Sequence, residues 1–305
     1  MKKYKGVIPP IITPVDPNEN LDEQGFRRLL RHCINKGLHG IFVAGTNGET
    51  MALTQEQRDR AIHIAIDEAG KDIPVMAGVM DTSTKRVIEN IKRLEQMGGT
   101  CAVVTPIFYA RHTDQSETIR HFEKVSQSTD LDILIYNIPT FTGINISFES
   151  LKIIASMDHI VGYKDSSGNF ADFMKCLIYF EDKEFCLLQG STPLAGVSML
   201  MGADGFIPSI SPLFPSLFVE FFNAGKSGNI SRTKQLNALI SDTSSILSMS
   251  KNQISANKFA ISQLGFTDKR VLEPLDPVTP EEERRICSKI DEVMNKAHAM
   301  GISMC

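Results

Sequence analysis

The sequence predicts a (β/α)8 barrel followed by a helical C-terminal extension, and three observations support this fold class. Short apolar runs alternate with longer amphipathic segments, and eight such pairs follow one another along residues 1–223. Most of the short runs are apolar throughout, as in strands that helices cover on both faces. A doubly wound sheet would be expected to open with a Gly-x-Gly-x-x-Gly turn, and the sequence has none, which favours the closed barrel.

Each predicted strand is followed by a predicted helix, and Ser83, Asp114 and Ser147 stand where N-cap side chains are expected. The predicted strands are 6–12, 40–44, 73–79, 101–105, 131–136, 159–164, 185–189 and 205–210. The predicted helices are 22–36, 54–69, 83–97, 114–128, 147–156, 169–180, 191–200 and 212–223. The order of these elements therefore predicts one catalytic barrel over residues 1–223.

The strand signal stops after residue 223, and only helical segments remain, near 228–248, 251–264 and 280–299. The run Glu273-Pro274-Leu275-Asp276-Pro277 separates the last two, because proline cannot continue a helix. We therefore predict that 224–305 is a helical domain packed on the barrel.

Composition restricts the possible functions. Of 305 residues, 42% are hydrophobic and 22% are charged, which is typical of a globular protein. The net charge of −4 provides no basic field, so nucleic acid is not an expected partner. No apolar stretch approaches the ~20 residues of a membrane helix, and the N-terminus lacks a secretory signal pattern. We expect a cytoplasmic protein without a membrane partner.

Cysteine and histidine spacing gives no indication of a metal site. The six cysteines form no Cys-x-x-Cys pair, and we expect them to be reduced, with Cys305 exposed. The histidines form no His-Glu-x-x-His motif, and His112, in the loop after the fourth strand, is interpreted as solvated. No metal is therefore predicted.

Lys164 is the residue that most strongly indicates a chemistry. It follows Ile160-Val161-Gly162-Tyr163 and precedes polar turn residues, so a buried strand delivers its amine to the carboxyl end of the barrel. Burial disfavours the ammonium form, and such a lysine can act as a nucleophile near neutral pH. The alternative is an ordinary solvated surface lysine.

Two other predicted strand ends carry matching groups. Gly45-Thr46-Asn47-Gly48-Glu49 follows the second strand, and its backbone N–H groups with Thr46 and Asn47 can bind a carboxylate. The alternative is a plain strand–helix turn in which Glu49 caps the next helix. Tyr136 ends the fifth strand and can shuttle a proton, or it is a phenol hydrogen-bonded to a loop.

Together these groups suit one reaction class. The neutral amine of Lys164 attacks the C2 carbonyl of a 2-keto acid, and the resulting protonated imine acts as an electron sink. Tyr136 would carry the protons, and Thr46 would extend the relay. The covalent imine takes the place of a cofactor, so none is predicted.

With these motifs placed, the sequence resembles the dihydrodipicolinate synthase / N-acetylneuraminate lyase family. Gly6-Val7-Ile8-Pro9-Pro10, Val104-Thr105-Pro106 and Gly202-Ala203-Asp204-Gly205 are also similar to that family, so the resemblance extends from residue 6 to about 215. It implies a (β/α)8 barrel with a C-terminal helical domain, a homotetramer, a Schiff-base lysine at Lys164, and no metal or organic cofactor.

The departures from the family pattern concern the substrate. Where dihydrodipicolinate synthases carry an arginine for the aldehyde's carboxylate, this chain has Phe141, and Phe108 replaces the second relay tyrosine. Phenylalanine neither pairs with a carboxylate nor passes a proton. Whether Tyr109 supplies the missing phenol is left open. Asn47 is similar to the Ser-Asn-Gly-Glu turn of 4-hydroxy-2-oxoglutarate aldolases, and the Asp-Glu pair of sialic acid lyases is missing.

We therefore expect an aldolase that releases pyruvate from a 2-keto-3-deoxy sugar acid or a 4-hydroxy-2-keto acid, or a related dehydratase. The alternatives are 4-hydroxy-tetrahydrodipicolinate synthase, N-acetylneuraminate lyase and a non-catalytic 2-keto acid sensor. For Ser166, Ser191 and Thr192 we weigh contacts to the distal part of the substrate against strand-end capping. The full predicted substrate-binding set is Thr46, Asn47, Phe141, Ser166, Gly190, Ser191, Thr192 and Ile207.

Overall fold

The computed structural model describes residues 2–70, 72–110 and 113–302, so His112 and Cys305 lie outside the described residues. Within these ranges eight parallel strands follow one another along the chain. They are β1 (Gly6–Val7), β2 (Ile41–Val43), β3 (Val75–Gly78), β4 (Cys101–Val104), β5 (Asp132–Asn137), β6 (Ile160–Asp165), β7 (Cys186–Gln189) and β8 (Gly205–Phe206).

The strands form a closed barrel. The sheet order is β1-β8-β7-β6-β5-β4-β3-β2, so the first strand pairs with the last. The barrel closes between the first two strands, where the Ile11 N–H donates to the Phe42 carbonyl and the Phe42 N–H donates to the Pro9 carbonyl, each at 2.9 Å. The predicted (β/α)8 architecture is confirmed.

The first and last strands are shorter than the apolar runs predicted. Regular pairing ends at Val7 in β1 and at Phe206 in β8, whereas the runs continue to residues 12 and 210. Pro9, Pro10 and Pro208 explain the difference, because proline has no N–H to donate to a ladder. The residues beyond these strands remain buried at the carboxyl end of the barrel.

Helices alternate with the strands, and Ser83, Asp114 and Ser147 each accept a hydrogen bond from a first-turn N–H, as predicted. The predicted helix 191–200 consists of a 3₁₀ turn, Thr192–Leu194, and a short α-helix. The α-helices are α1 (Glu23–Asn35), α2 (Gln55–Ala69), α3 (Thr84–Gln96), α4 (Gln115–Ser126), α5 (Pro139–Thr142), α6 (Phe148–Ile154), α7 (Phe170–Tyr179), α8 (Ala195–Leu200), α9 (Pro215–Lys226), α10 (Ile230–Ser245), α11 (Gln253–Ser262) and α12 (Pro280–Ala299).

Helix α9 runs past residue 223, so the predicted domain boundary falls inside it. The larger apolar core lies between strands and helices and continues into the C-terminal helices through Leu236, Phe259 and Ile286. A smaller cluster, which includes Tyr4, fills the barrel interior. In the described part of the chain, none of the helices has both the length and the apolar character needed to cross a membrane.

Candidate active site

Lys164 points into the barrel. Side chains alternate along a strand, and on β6 Tyr163 belongs to the core beneath the helices while Lys164 faces the interior. The register pairs Tyr136 of β5 with Lys164 of β6. The lysine nitrogen lies 3.6 Å from the centroid of the Tyr136 ring and 4.6 Å from that of Phe42. The predicted nucleophile and the predicted proton carrier are therefore neighbours.

Burial controls the charge of Lys164. The residue is 3% exposed, and this desolvation lowers its pKa well below the ordinary value of 10.5. Among the described residues, no carboxylate forms an ion pair with it. Because no negative charge compensates the ammonium, the neutral amine is favoured, and the neutral amine is the nucleophilic form.

The Tyr136 phenol joins three of the predicted site residues. Burial raises its pKa to about 12, and hydrogen bonds with the Ser166 and Thr46 side chains act against that rise. At neutral pH the phenol is therefore protonated. Its two hydroxyl partners provide a path along which the proton can leave or return.

The turn after β2 carries Thr46 toward the site. Thr46–Gly48 form one 3₁₀ turn, which the Gly48 N–H closes by donating to the Gly45 carbonyl at 3.1 Å. A Cβ at Gly45 would lie 2.8 Å from the Phe42 ring, so only glycine fits there. The Asn47 amide points elsewhere, toward the Pro10 carbonyl at 3.5 Å.

Glu49 ties this turn to the C-terminal domain. Its carboxylate forms an ion pair with Lys258 of α11, and the two side chains are 1% and 0% exposed. The Leu272 N–H also donates to Glu49 Oε2 at 2.7 Å. Burial lowers the pKa of Lys258, and Glu49 acts in the opposite direction. Glu49 therefore joins two domains and does not cap the following helix.

Sequence reasoning missed this pair, although the same signal that identified Lys164 was present. Lys258 lies in the run Ala256-Asn257-Lys258-Phe259-Ala260, where a lysine stands among small and apolar residues. Its partner Glu49 lies in the turn after β2, far earlier in the chain, and no local pattern connects the two.

A cavity of about 490 Å³ lies at the carboxyl ends of the strands. Three predicted site residues line it, namely Thr46, Tyr136 and Phe141, and Lys164 lies against the Tyr136 ring. The full lining is Thr46, Glu49, Thr50, Met51, Ala52, Met80, Thr105, Phe108, Tyr136, Ile138, Phe141, Thr142, Ile254, Glu273, Pro274 and Leu275.

Other predicted substrate contacts lie beside the cavity rather than in its wall. Ser166 bonds the Tyr136 phenol, and Gly190 is so close to Ser166 that an added Cβ would lie 2.0 Å from the Ser166 hydroxyl. Ile207 belongs to the same interior cluster as Tyr136. Ser166 and Ile207 therefore lie near Tyr136, and Gly190 lies next to Ser166.

Ser191 and Thr192 are not brought to the cavity lining. The Ser191 N–H donates to Gln189 Oε1 at 2.8 Å, and Thr192 opens the 3₁₀ turn before α8. The Ser191 side chain makes no cap hydrogen bond to that turn, so the placement supports neither the predicted substrate contact nor the capping alternative.

The loop after β4 carries Phe108 and Tyr109, the residue considered as a replacement for the phenol missing at Phe108. Phe108 lines the cavity, whereas Tyr109 does not and is 95% exposed, with φ of 73°. In the described ranges, no cluster of three or more His, Cys, Asp or Glu residues is arranged to hold a metal.

The profile of the Dihydrodipicolinate synthetase family matches residues 3–293. A 4-hydroxy-tetrahydrodipicolinate synthase of Methanothrix thermoacetophila is 29% identical over 293 residues, which cover 96% of this chain and 97% of that protein. The corresponding synthase of Protochlamydia amoebophila is 32% identical over 232 residues, or 75% of this chain and 77% of that one.

Solved structures agree with the sequence comparison. The dihydrodipicolinate synthase of Bacteroides thetaiotaomicron superposes with a TM-score of 0.89 at 28% identity, covering 94% of this chain and 98% of that one. A prophage protein of the same family from E. coli K12, solved in complex with pyruvate, has a TM-score of 0.89 at 26% identity, covering 95% and 99%. The chain therefore belongs to the dihydrodipicolinate synthetase family and is a lyase of its Schiff-base class.

Proposed function

We propose that this enzyme cleaves a 4-hydroxy-2-keto acid, the class that includes 2-keto-3-deoxy sugar acids, into pyruvate and an aldehyde, or dehydrates such an acid. The observation that carries the proposal is Lys164, which is buried, lacks an ion-pair partner among the described residues and contacts the Tyr136 ring. A buried neutral amine beside a phenol is suited to forming an imine with a ketone.

The reaction begins when the Lys164 nitrogen attacks C2 of the keto acid. The carbonyl oxygen receives protons through Tyr136 and leaves as water, so a C=N bond replaces the C=O bond. The resulting imine carries a proton and a positive charge beside C3. Tyr136 is left as a phenolate, which the Thr46 and Ser166 hydroxyls beside it stabilise, and this phenolate is the base for the next step.

In the cleavage step, Tyr136 removes the proton of the C4 hydroxyl, and the C3–C4 bond breaks as the C4–O bond becomes a carbonyl. The electron pair of the broken bond moves to the iminium nitrogen and leaves an enamine. Protonation at C3 followed by attack of water on C2 releases pyruvate and restores Lys164. In the dehydratase variant, a proton leaves C3 and the C4 hydroxyl departs as water.

The turn after β2 is the proposed binding site for the carboxylate of the keto acid. The backbone N–H groups of Thr46 and Asn47 donate to no group among the described residues. Successive free N–H groups of this kind form an anion site. Thr46 also touches the phenol, so this binding mode would hold C2 near Lys164.

A second candidate function comes from the relatives, several of which are named 4-hydroxy-tetrahydrodipicolinate synthase. Phe108 and Phe141 line the cavity where that family carries a tyrosine and an arginine, and they count against a substrate with a second carboxylate. A strong condensation of pyruvate with aspartate semialdehyde would favour this second function.

The test is to incubate the protein with pyruvate, reduce with borohydride and weigh the protein by mass spectrometry. We expect a stable pyruvate adduct that is missing from the Lys164→Met variant. A panel of 4-hydroxy-2-keto acids is then assayed for pyruvate release. An adduct without turnover on any panel member would indicate a 2-keto acid sensor, and no adduct would contradict the proposal altogether.

The proposal requires no cofactor, because the iminium nitrogen takes the electron pair that a metal or organic cofactor would otherwise accept. Enzyme dialysed against a chelator should therefore keep its full rate of pyruvate release. A loss of rate that an added divalent metal restores would contradict this part of the proposal.

A further inference from the structure

We infer that the active cavity selects an aldehyde half that is uncharged and mainly apolar, such as an aryl or branched alkyl aldehyde, over polyol and carboxylated aldehydes. This inference rests on the proposed function, because it concerns the partner that leaves pyruvate at the C3–C4 bond. It narrows the substrate class to 4-hydroxy-2-keto acids with a hydrophobic substituent on C4.

The wall of the cavity beyond Tyr136 is built mainly from apolar side chains. Phe108 comes from the loop after β4, Phe141 lies in α5, and Met80 follows β3. Ile254 and Leu275 come from the C-terminal domain. At about 490 Å³ the cavity has the size of a small-molecule site and exceeds what pyruvate alone would fill. Apolar surface of this kind gains free energy when it covers an apolar ligand.

The charges in the wall do not suit a second carboxylate. The described lining contains no lysine, arginine or histidine, and its two carboxylates belong to Glu49 and Glu273. Glu49 already pairs with Lys258, so Glu273 is the acidic group left facing a ligand. A substrate carboxylate here would lose its hydration, find no cation and meet a like charge.

The hydroxyl groups of the wall are too few for a polyol. The Thr142 hydroxyl is already bonded to the carbonyls of Ile138 and Ile144, and Thr46 is bonded to Tyr136. Thr50 and Thr105 remain, and their buried hydroxyls have no hydrogen-bond partner among the described residues. Rotation of either side chain would let it meet one oxygen of the substrate, and Glu273 could accept from one hydroxyl, whereas the further hydroxyls of a polyol would be desolvated without a partner.

The apolar wall from the C-terminal domain is held in place. The Leu272 N–H donates to Glu49, and the Glu273 N–H donates to Glu19 Oε1 at 3.0 Å. These bonds anchor the two residues that precede Pro274 and Leu275. A wall fixed by backbone hydrogen bonds is pre-formed, so it can discriminate between ligands of different polarity.

The experiment measures kcat/KM for condensation of pyruvate with four aldehydes, namely benzaldehyde, isobutyraldehyde, glyceraldehyde and succinic semialdehyde. We expect the first two to exceed the last two by about 10-fold or more, the range that pocket contacts of this kind provide. Equal or reversed preference would overturn the inference. The borohydride adduct with pyruvate is measured in parallel, since it depends on Lys164 and not on the aldehyde.

Phe141→Arg is the matched variant, with Phe141→Leu as its control. The arginine gives a carboxylate its ion-pair partner, so the ratio of kcat/KM for succinic semialdehyde to that for benzaldehyde should rise about 10-fold or more, while leucine should keep the wild-type order.

Arg111 lies outside the described residues, and Arg111→Ala should leave the order unchanged. If Arg111→Ala changes the order of the four aldehydes, the selection does not come from the cavity wall and the inference is wrong. If the pyruvate adduct forms but apolar aldehydes are not preferred, only this inference is wrong. If no adduct forms, the proposed function is wrong as well.

Discussion

Among the described residues, two lysines are almost completely buried, and they differ in what surrounds the nitrogen. Lys164, in the barrel, contacts the rings of Phe42 and Tyr136 and has no ion-pair partner among the described residues. Lys258, between the domains, touches the carboxylate of Glu49. Burial lowers the pKa of both, but only Lys258 has a negative charge that opposes the shift.

The difference teaches how one residue type is used for two purposes. A buried ammonium without a partner is unfavourable, so Lys164 is held as an amine, and an amine can react. A buried ammonium paired with a carboxylate has its charge compensated. Removal of either partner leaves the other charge buried without a counter-charge. The presence of one carboxylate thus decides whether a buried lysine is a reactive amine, as at Lys164, or part of an ion pair that joins two domains, as at Lys258.

The largest expected effect is on catalysis in Lys164→Met. Methionine keeps the volume of the side chain but has no amine, so pyruvate release should fall about 10⁴-fold or more and the borohydride adduct should be absent. Lys258→Met is the matched control and should still form the adduct. An adduct that persists in Lys164→Met would place the nucleophile elsewhere.

The next effect concerns Tyr136→Phe. The ring and its contact with Lys164 are kept, whereas the phenol and its hydrogen bonds with Thr46 and Ser166 are lost. We expect pyruvate release to fall about 10²–10⁴-fold, as for removal of a general acid–base. Stopped-flow trapping should show slower imine formation. Thr46→Val, which shortens the relay but leaves the phenol, should fall between wild type and Tyr136→Phe.

The comparison also predicts different changes in the free energy of unfolding for Lys258→Met and Lys164→Met. Lys258→Met leaves the Glu49 carboxylate buried without its partner, so the free energy of unfolding should fall by about 3–5 kcal/mol. Lys164→Met removes an uncompensated amine from an apolar site and should leave stability equal or higher. Urea unfolding measures both. The double variant Glu49→Gln/Lys258→Met should recover part of the loss, and a double variant no more stable than Lys258→Met would show that the ion pair is not the cause.

Much of the barrel could be predicted because its signals are local. The apolar run before Lys164 and the polar residues after it occur within ten positions, and they correctly indicated a buried lysine at a strand end. The ends of β1 and β8 were less accurate, since apolar character predicts burial and does not tell where Pro9 or Pro208 interrupts a ladder.

The wall of the cavity could not be predicted from the sequence. Ile254 and Leu275 reach it from a domain to which the sequence assigns no chemistry, and they do so through packing between segments distant in the chain. The meeting of Glu49 with Lys258 is of the same kind. Hydrophobic periodicity identifies the buried face of a helix, but it does not identify which loop that face will cover.

The smallest effect, and the finest test of the comparison, is the dependence of stability on pH. The folded pKa of Lys164 lies well below the 10.5 of the unfolded chain, so between these two values the unfolded state binds more protons. The free energy of unfolding should therefore rise with pH across that window and level off above 10.5. In Lys164→Met this part of the slope should disappear, which urea titrations from about pH 7 to about pH 10 would measure.

The rate of imine formation supplies the catalytic counterpart of that slope. Because only the neutral amine attacks pyruvate, the rate constant for adduct formation should reach half its maximum well below pH 10.5. Lys258→Met, which alters the other buried lysine, should leave this midpoint in place even as it lowers stability. A midpoint near the ordinary value, or one that moves with Lys258, would mean that the unpaired environment of Lys164 is not what makes it reactive.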